Sequence, residues 1–483
     1  MKRALLLAGS LVLILAAVLV GRAARLGGRR TTLPVADALV LDSARVVERF
    51  AAAIRIPTVS EDDPGRRDPQ QFVALHQLLA AGFPHVQRRL ARETVDRYSL
   101  LYTWAGTDSG AAGVLLTAHQ DVVPADSAKW SHPPFSGEIA GGYVWGRGTL
   151  DDKVAVLGIL EAVDALVAEG FRPRRPVYLA FGHDEEVGGE AGAAAIAALL
   201  RARHLPLEVV VDEGGAILQG VVPGVAAPVA TVGVAEKGSV TLALTAHGAG
   251  GHSSMPPPRS AIGRVSRAIN RLERDPFPAR LDGANLGLFE AVGPEMTWPY
   301  RVLFANLWLF RPLVLRALTA QPSTAAAVRT TLAPTMLQAG VKENVLASSA
   351  RALVNLRILP GEAVSSVVER VRRVIDDSAV AVSVEGQGDD PSPVSPSDTA
   401  PFHAVTGAIR QIYPAAITAP FLVVGATDAR HYAGLTRNVY RFAPLPLTGA
   451  DLDRLHGVNE RIAVADYLRA VRWYAQVIRR LAR

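Results

Sequence analysis

Three consecutive acids, Asp184, Glu185 and Glu186, directly follow a short apolar run in this sequence. The run, residues 177–181, has the length and composition of a buried β-strand, and a helical pattern begins soon after the acids. Adjacent carboxylates at a strand end repel one another unless a positive charge lies between them. A metal ion would provide that charge, although a solvated acidic turn explains this stretch alone equally well.

Two other apolar runs also end in polar side chains that can bind a metal. Residues 113–118 lead into His119, and residues 207–211 lead into Asp212. In open α/β sheets, ligands bind outside the carboxyl ends of the strands. We therefore expect His119, Asp212 and the three acids to gather at one edge of a sheet.

Two further candidates lie in predicted loops, so that five side chains form the candidate metal set. They are His119, Asp151, Glu186, Asp212 and His456. The chain has no cysteine, which excludes thiolate ligands, and histidine with carboxylate suits Zn²⁺ and tolerates Co²⁺ or Mn²⁺. Two metals roughly 3.5–4 Å apart can share one carboxylate and polarise a carbonyl together. Glu185, left over beside a ligand, is then placed to accept a proton from water.

The elements that must position these residues alternate between strands and helices. Helical patterns at residues 35–54, 154–169 and 463–481 lie before, between and after the three apolar runs. This alternation predicts an α/β fold with a mostly parallel sheet and helices on both faces.

Residues 239–384 have a different pattern, in the order strand, helix, strand, strand, helix, strand. That order predicts an inserted ferredoxin-like α+β unit, with its central hairpin at residues 343–359. An apolar stretch, residues 298–318, interrupts the unit and is too short to span a bilayer. It is either a packed helix or a surface that contacts an acyl chain or a membrane.

The N-terminus contains an uncharged apolar run, residues 4–20, which reaches roughly 25 Å as a helix. A cleaved signal peptide is the alternative, but Arg22 and Arg25 make a poor cleavage site. We predict a membrane anchor with the catalytic part extracytoplasmic, or a secreted protein if the segment is cleaved. The basic residues are spread along the chain, and we find no helix-turn-helix or zinc-finger spacing, so nucleic acid is not an expected partner.

Six short motifs together give the chain a specific resemblance to a known family. They are His-Gln-Asp at 119–121, Gly-Arg-Gly-Thr-Leu-Asp-Asp-Lys at 146–153, Asp-Glu-Glu at 184–186, Asp-Glu-Gly-Gly at 212–215, Gly-His-Ser-Ser at 251–254 and His-Gly-Val-Asn-Glu at 456–460. The chain resembles the M20 family of dinuclear zinc exopeptidases and aminoacylases over nearly everything after residue 40. Residues 335–345 and the apolar stretch are most similar to the branch of carboxypeptidase S and the N-fatty-acyl-amino acid hydrolases.

The resemblance implies two zinc ions per chain. Asp151 bridges them and is followed by a cis peptide bond to Asp152. One histidine and one further carboxylate complete each site, and the pairs are His119 with Asp212 and His456 with Glu186. Asp121 orients the imidazole of His119 through its second nitrogen. Glu185 acts as general base and then as general acid to the leaving amine.

The resemblance also implies roles for three residues on the insert and a division of the chain into segments. By this resemblance, His252 stabilises the oxyanion. In many relatives the corresponding histidine reaches the active site of the partner subunit, so a homodimer is one expected assembly. Asn344 and Arg357 hold the substrate, with Arg357 suited to clamp a carboxylate. The implied segments are an anchor or signal at 1–30, a catalytic domain at 35–233 and 389–483, and a lid or dimerisation domain at 234–388.

The implied enzyme is a metallopeptidase or amidohydrolase with a small-molecule substrate. It would cleave the amide bond of N-acyl amino acids or of Gly-Xaa-type dipeptides that carry a free carboxylate. An M28-type aminopeptidase has a similar ligand order, but such enzymes lack the large insert with a Gly-His-Ser-Ser loop. A non-catalytic binding protein on the same fold is the other alternative, which the intact ligand set and Glu185 disfavour.

Overall fold

A computed structural model describes residues 1–27, 33, 36–61 and 63–483 of the protein. The predicted boundary between the N-terminal segment and the catalytic part falls at residues 30–35, and most of these lie outside the described residues. The helices are α1 (Lys2–Arg25), α2 (Ser43–Ile54), α3 (Pro69–Gly82), α4 (Pro84–Arg89), α5 (Lys153–Ala168), α6 (Ala193–Ala202), α7 (Ala261–Arg274), α8 (Gly283–Val292), α9 (Trp298–Ala305), α10 (Leu307–Leu318), α11 (Pro322–Val328), α12 (Val364–Ile375), α13 (Ala400–Ile412), α14 (Ala429–Tyr432), α15 (Gly449–Leu452) and α16 (Val464–Leu481). The strands are β1 (Ala91–Val95), β2 (Ser99–Trp104), β3 (Gly113–His119), β4 (Glu138–Ala140), β5 (Tyr143–Trp145), β6 (Val177–Gly182), β7 (Leu207–Asp212), β8 (Ile217–Leu218), β9 (Val229–Glu236), β10 (Gly238–His247), β11 (Thr331–Ala339), β12 (Ser349–Ile358), β13 (Val380–Asp389), β14 (Ile417–Val423), β15 (Val439–Arg441), β16 (Pro446–Leu447) and β17 (Arg461–Ala463).

A large mixed sheet forms the centre of the molecule. Within the described residues it has ten strands in the order β1-β2-β6-β3-β7-β15-β9-β8-β16, with β14 paired to β9. Its central pairs are parallel, since β3 runs beside β6 and β7, and β15 runs beside β7. Antiparallel pairs such as β2 with β6 lie towards the edges. The predicted α/β fold with a mostly parallel sheet is confirmed.

Helices cover both faces of this sheet because its central strands are apolar on both sides. Leu116 of β3 packs in the main core with residues of α2, α5, α13 and α16. Its neighbour Leu115 packs on the opposite face with residues of α6 and α14. A strand buried on both faces needs a continuous apolar run rather than an alternating one, which is why these strands were visible in the sequence.

The smaller, four-stranded sheet is antiparallel, with the order β11-β12-β10-β13. Helices α7 and α12 cover one of its faces through side chains such as Val265 and Val371. Strand order and helix placement are those of a ferredoxin-like unit. Its hairpin joins β11 to β12, so the prediction at residues 343–359 placed the first strand too late. The reason is that β11 is an exposed edge strand without the alternation of a half-buried one.

Helices α8 to α11 lie between α7 and β11 and form an apolar insertion. Residues 298–318 are two helices rather than one, since Asn306 separates α9 from α10. Helix α8 packs on β14 at the edge of the large sheet, and α9 packs against α1. In the part of the chain that the structure describes, α1 is the one helix long and apolar enough to cross a membrane.

Candidate metal centre

The candidate ligands lie at the carboxyl edge of the large sheet, on the ends of strands and in adjoining loops. His119 is the last residue of β3, and Glu186 lies in a short turn directly after β6. Asp151 precedes the N-terminus of α5, and its peptide bond to Asp152 is cis. His456 lies in the loop before β17 with a positive φ of 56°.

The carboxylate of Asp151 lies between two imidazoles. Its Oδ1 is 2.9 Å from Nε2 of His119, and its Oδ2 is 3.0 Å from Nε2 of His456. Oε2 of Glu186 lies 3.3 Å from the same nitrogen of His456. The two oxygens of one carboxylate thus face two separate histidines, which is the arrangement that a carboxylate bridging two metal ions needs.

The further carboxylate beside His119 belongs to Glu213 and not to Asp212. Oε1 of Glu213 lies 3.6 Å from Nε2 of His119. Potential ligand atoms of His119, Asp151 and Glu213 all lie within 4.8 Å of one another. Asp212 is in none of the clusters of this kind found among the described residues. The structure therefore brings Glu213 into the cluster and leaves the predicted ligand Asp212 outside it.

The alternation of side chains along β7 explains why Glu213, and not Asp212, lies beside His119. Side chains point to opposite faces of a strand in turn. Val211 belongs to the main core beneath α5, whereas Val210 packs on the other face with α6 and α14. The side chain of Asp212 points to the same face as that of Val210, and burial there raises the pKa of Asp212 to about 6. Glu213 is left on the α5 side, and this alternation is the signal that could have identified it from the sequence.

Two glycines hold the chain in the turn after Glu213. Gly214 has a φ of +110°, a region that residues with a Cβ rarely adopt. A Cβ on Gly215 would lie 2.0 Å from the carbonyl oxygen of Thr231. The close approach of two backbones therefore requires glycine here, and the turn that directs Glu213 into the cluster depends on it.

The electrostatics of the cluster favour a bound cation. Burial raises the pKa of Glu213 to about 7, and the negative charge of Asp151 adds to the shift. Burial also raises the pKa of Glu185 and of Glu186, whose Oε1 is buried without a hydrogen-bond partner. Hydrogen bonds that His456 donates to the carboxylates of Asp151 and Glu186 raise its pKa to about 10. The buried carboxylates of the cluster have too little positive charge nearby to offset their own charge, and the groups that could bind a metal are imidazoles and carboxylates. The residues present therefore fit divalent metal ions.

Asp121 orients both a candidate ligand and the turn that carries two others. Nδ1 of His119 lies 3.0 Å from the backbone carbonyl oxygen of Asp121, so Nδ1 carries the proton and the Nε2 lone pair faces Asp151. The carboxylate of Asp121 accepts the backbone N–H groups of Glu185 and Glu186 at 3.2 Å each. Burial raises the pKa of Asp121, but its contacts with His119 outweigh that effect and lower it.

A buried ion pair connects the loop of Asp151 to the loop of His456. Nη1 of Arg147 donates to Glu460 at 2.6 Å, and its Nη2 donates to the carbonyl oxygens of His456 and Gly457 at 3.1 and 2.9 Å. The carboxylate of Glu460 also accepts the N–H of Leu150 at 2.7 Å. Burial raises the pKa of Glu460 to about 7 even though Arg147 opposes the shift. Arg147 and Glu460 lie within two of the sequence motifs, and their pairing sets the separation of two candidate ligands.

The three predicted residues of the insert lie apart from the cluster. His252 is exposed, and its Nδ1 contacts the backbone N–H of Ser254 at 3.1 Å. Asn344 lies beside it, since its carbonyl oxygen accepts the N–H of Ser253. Arg357 is an exposed residue of β12. Among the described residues, no hydrogen bond or ion pair joins His252, Asn344 or Arg357 to the candidate ligands.

A mainly apolar cavity of about 600 Å³ begins at the cluster and extends to the inserted helices. Asp151 and Glu213 line it at one end. At the other end it is lined by side chains of α8, α9, α10 and α11, among them Leu288, Phe289, Tyr300, Phe304, Leu318 and Val328. A volume of this size is typical of a small-molecule site, and an apolar lining with few polar groups suits a hydrocarbon.

Residues 115–480 match the family model described as peptidase family M20/M25/M40. The chain belongs to this family. The resemblance predicted from the motifs is thereby confirmed, and an M28-type aminopeptidase and a non-catalytic protein are both set aside. This M20 chain is an enzyme of the peptidase and hydrolase class, and its cluster is a candidate metal site.

Relatives with similar sequences include two named types. A probable carboxypeptidase S-like protein of Dictyostelium discoideum is 41% identical over 444 residues, covering 91% of this chain and 85% of the relative. An N-fatty-acyl-amino acid synthase/hydrolase of Xenopus tropicalis is 42% identical over 441 residues, covering 90% and 85%. Carboxypeptidase S of Saccharomyces cerevisiae is 31% identical and covers 89% and 83%.

Solved structures of M20 enzymes share the fold. An M20 family metallo-carboxypeptidase of Sulfolobus solfataricus superposes with a TM-score of 0.64 at 17% identity, covering 91% of this chain and 99% of the other. Human carnosine dipeptidase 1 superposes with a TM-score of 0.59 at 17% identity, covering 91% and 96%. At this identity the match establishes the architecture of the M20 chain and not its substrate.

Proposed function

We propose that this protein is a dizinc hydrolase that cleaves the amide bond of N-acyl amino acids with long acyl chains. The observation that carries the proposal is the apolar cavity that starts at Asp151 and Glu213. A substrate amide held at the cluster would place its acyl chain in that cavity. The relatives named as N-fatty-acyl-amino acid synthase/hydrolases act on molecules of this kind.

The residues that would hold the metals follow from the contacts of the cluster. We assign His119 and Glu213 to one zinc ion and Glu186 and His456 to the other, with Asp151 between them. Zinc in such a pair polarises a carbonyl and lowers the pKa of water. Asp121 keeps His119 in the tautomer that presents Nε2 to the site. Asp152 is fully buried next to the bridging carboxylate, a position that fits a supporting role.

Glu185 is placed to transfer the proton. It belongs to a cluster with His119 and Glu186, and burial raises its pKa well above the usual value for a glutamate. A carboxylate whose pKa is raised toward neutrality can accept a proton from water and later return it to the leaving amine. His252, Asn344 and Arg357 remain proposals for the oxyanion and the substrate carboxylate, since they reach the cluster only if the insert closes or a partner chain contributes them.

A dipeptide is the second candidate substrate, because carboxypeptidase S is also a relative. A Gly-Xaa dipeptide would leave most of the cavity unfilled, and its charged amino group would face apolar side chains. Transfer of a charged group into such surroundings is unfavourable. The cavity therefore favours an acyl chain over an aminoacyl group.

A series of N-acyl amino acids of increasing chain length tests the proposal. We expect kcat/KM to rise about fourfold for each added methylene until the cavity is full, since each buried CH₂ is worth about 0.8 kcal/mol. Ala327→Phe, which projects into the cavity, should remove the gain for long chains and retain hydrolysis of an N-acetyl amino acid. Ala325→Phe on the same helix, outside the cavity lining, is the matched control. A faster rate with Gly-Xaa dipeptides, or rates independent of chain length, would contradict the assignment.

We also propose that α1 anchors the enzyme in a membrane. Its apolar residues are exposed along the helix, and Arg22 and Arg25 lie in its last turn. Its length and composition are equally compatible with a signal segment. The contacts that α1 makes with α9 favour an anchor, because a cleaved segment would not be retained against the folded enzyme.

A further inference from the structure

Helix α1 is joined to the folded part of the molecule through the apolar insertion. Nε of Arg22 donates to the carbonyl oxygen of Ala305 at 3.1 Å, at the end of α9. Nδ2 of the buried Asn306 donates to the carbonyl oxygen of Leu19 at 3.0 Å. Ala23, in the same turn of α1 as Arg22, is buried. The C-terminal end of α1 and the junction between α9 and α10 therefore lie at the same level of the molecule.

Helices α9 and α10 carry five exposed apolar side chains, which we call the aromatic face. Its members are Trp298, Tyr300, Trp308, Leu309 and Leu313, each between 40% and 59% exposed. Leu309 and Leu313 are four residues apart and so lie on one side of α10. Large exposed apolar surfaces of this kind mark interaction sites.

The side of α9 that carries Tyr300 and Phe304 lines the cavity of the metal centre. Phe304 and Tyr300 both contribute to its wall, and the ring of Tyr300 packs over Gly224. Tyr300 is thus part of the cavity wall and of the aromatic face at once. Helix α9 therefore contributes side chains both to the aromatic face and to the wall of the space proposed for the acyl chain.

We propose that the aromatic face lies in the interface of the lipid bilayer that α1 anchors to, and that acyl substrate enters the cavity from this bilayer beside Tyr300. The proposal rests on the acyl-amino acid activity proposed above for the choice of substrate, but the membrane contact stands on the geometry of α1 and α9. Entry from the bilayer would spare a long acyl chain from crossing water before it reaches the cavity.

Continuity with α1 identifies the bilayer as the occupant of this surface. If residues 4–20 cross the hydrocarbon core, residues 21–26 emerge at the level of the lipid headgroups, and α9 packs on them. Tryptophan and tyrosine are enriched at that level in membrane proteins. Arg311 and Arg316 are exposed on α10 and suit anionic headgroups.

Quenching of tryptophan fluorescence by lipids brominated on the acyl chain tests the contact. The full-length protein is reconstituted into vesicles of phosphatidylcholine and phosphatidylglycerol. The helix α1 contains no tryptophan, so quenching reports on other elements. We expect Trp298→Phe and Trp308→Phe each to remove part of the quenched signal, whereas Trp145→Phe, at a buried position, should not. Absence of quenching, or quenching insensitive to the first two variants, would overturn the proposal. So would light scattering that shows a dimer which these variants dissociate, because a second copy would then cover the face.

Hydrolysis of two substrates by one variant tests delivery from the bilayer. Leu309→Ser combined with Leu313→Ser should lower kcat/KM about tenfold for an N-oleoyl amino acid in vesicles, since two interfacial apolar contacts are lost. The same variant should hydrolyse a soluble N-acetyl amino acid at the wild-type rate, and Leu337→Ser, exposed on β11, is the control. An unchanged rate on vesicles, or an equal loss on both substrates, rejects delivery. If the wild type cleaves neither substrate, the proposed function fails, and quenching alone decides the membrane contact.

Discussion

Glu213 and Asp212 are neighbours in the sequence but belong to different parts of the molecule. Glu213 faces His119 in the candidate metal cluster. Asp212 lies on the opposite face of β7, where burial raises its pKa, and the backbone N–H of Glu213 and the charge of Arg441 partly offset that effect. Both are acids after an apolar strand, so residue type alone could not separate a ligand from a buried structural carboxylate.

Paired amide substitutions test which of the two acids binds metal. Glu213→Gln should reduce zinc from about two ions per chain to about one, because it would remove a ligand from one site of the proposed two-metal centre. Asp212→Asn should retain both ions, since the amide keeps the shape of a side chain that lies outside the cluster. Elemental analysis after dialysis measures the content, and treatment of the wild type with a chelator should abolish activity. Zinc loss in Asp212→Asn alone would restore the original ligand assignment.

Among the elements, those with continuous or strongly periodic apolar patterns could be predicted from the sequence. Strands β3, β6 and β7 and helix α5 lie within one or two residues of their predicted positions. The pairing of β14 with β9 could not be predicted, because the entire insert separates the two strands in sequence. The position of the apolar cavity could not be predicted for the same reason, since its wall combines α8 to α11 with loops of the catalytic part.

At the level of elements, the pair formed by Arg147 and Glu460 connects the loop before α5 to the loop before β17. Arg147→Met should destabilise the protein by about 3–5 kcal/mol, because it leaves the carboxylate of Glu460 buried without its partner. It should also weaken metal binding by releasing the loop of His456. Thermal unfolding and zinc titration measure the two effects.

The double variant is the control for that interpretation. Arg147→Met with Glu460→Gln removes the buried charge together with its partner, so it should be more stable than Arg147→Met alone. Zinc affinity should remain low in both variants, since neither holds the carbonyl oxygen of His456. A double variant less stable than the single one would mean that Glu460 acts mainly through the backbone N–H groups that it accepts.

For the whole molecule, the relation between the insert and the metal centre decides whether one chain is a complete enzyme. Nδ1 of His252 accepts the backbone N–H of Ser254, so in the neutral ring Nε2 carries the proton and can donate to an oxyanion. Among the described residues His252 makes no contact with the cluster. The family resemblance implies that both groups serve one active site, but the sequence cannot show whether they meet within one chain.

Mixing two inactive variants separates closure within a chain from donation between chains. Glu185→Gln should lower kcat by about 10²–10⁴ through loss of the general base, and His252→Ala by about 10²–10³ through loss of an oxyanion donor, with KM nearly unchanged. If His252 serves the partner subunit, mixed dimers contain one site with both residues intact. Activity should then recover to about one quarter of the wild-type value in an equal mixture, because half of the dimers are mixed and each has one working site. Dimers of Glu185→Gln with a chain that carries both substitutions are the control and should stay inactive. Confirmed mixed dimers without recovery would leave His252 to act within its own chain, after closure of the insert over the metals.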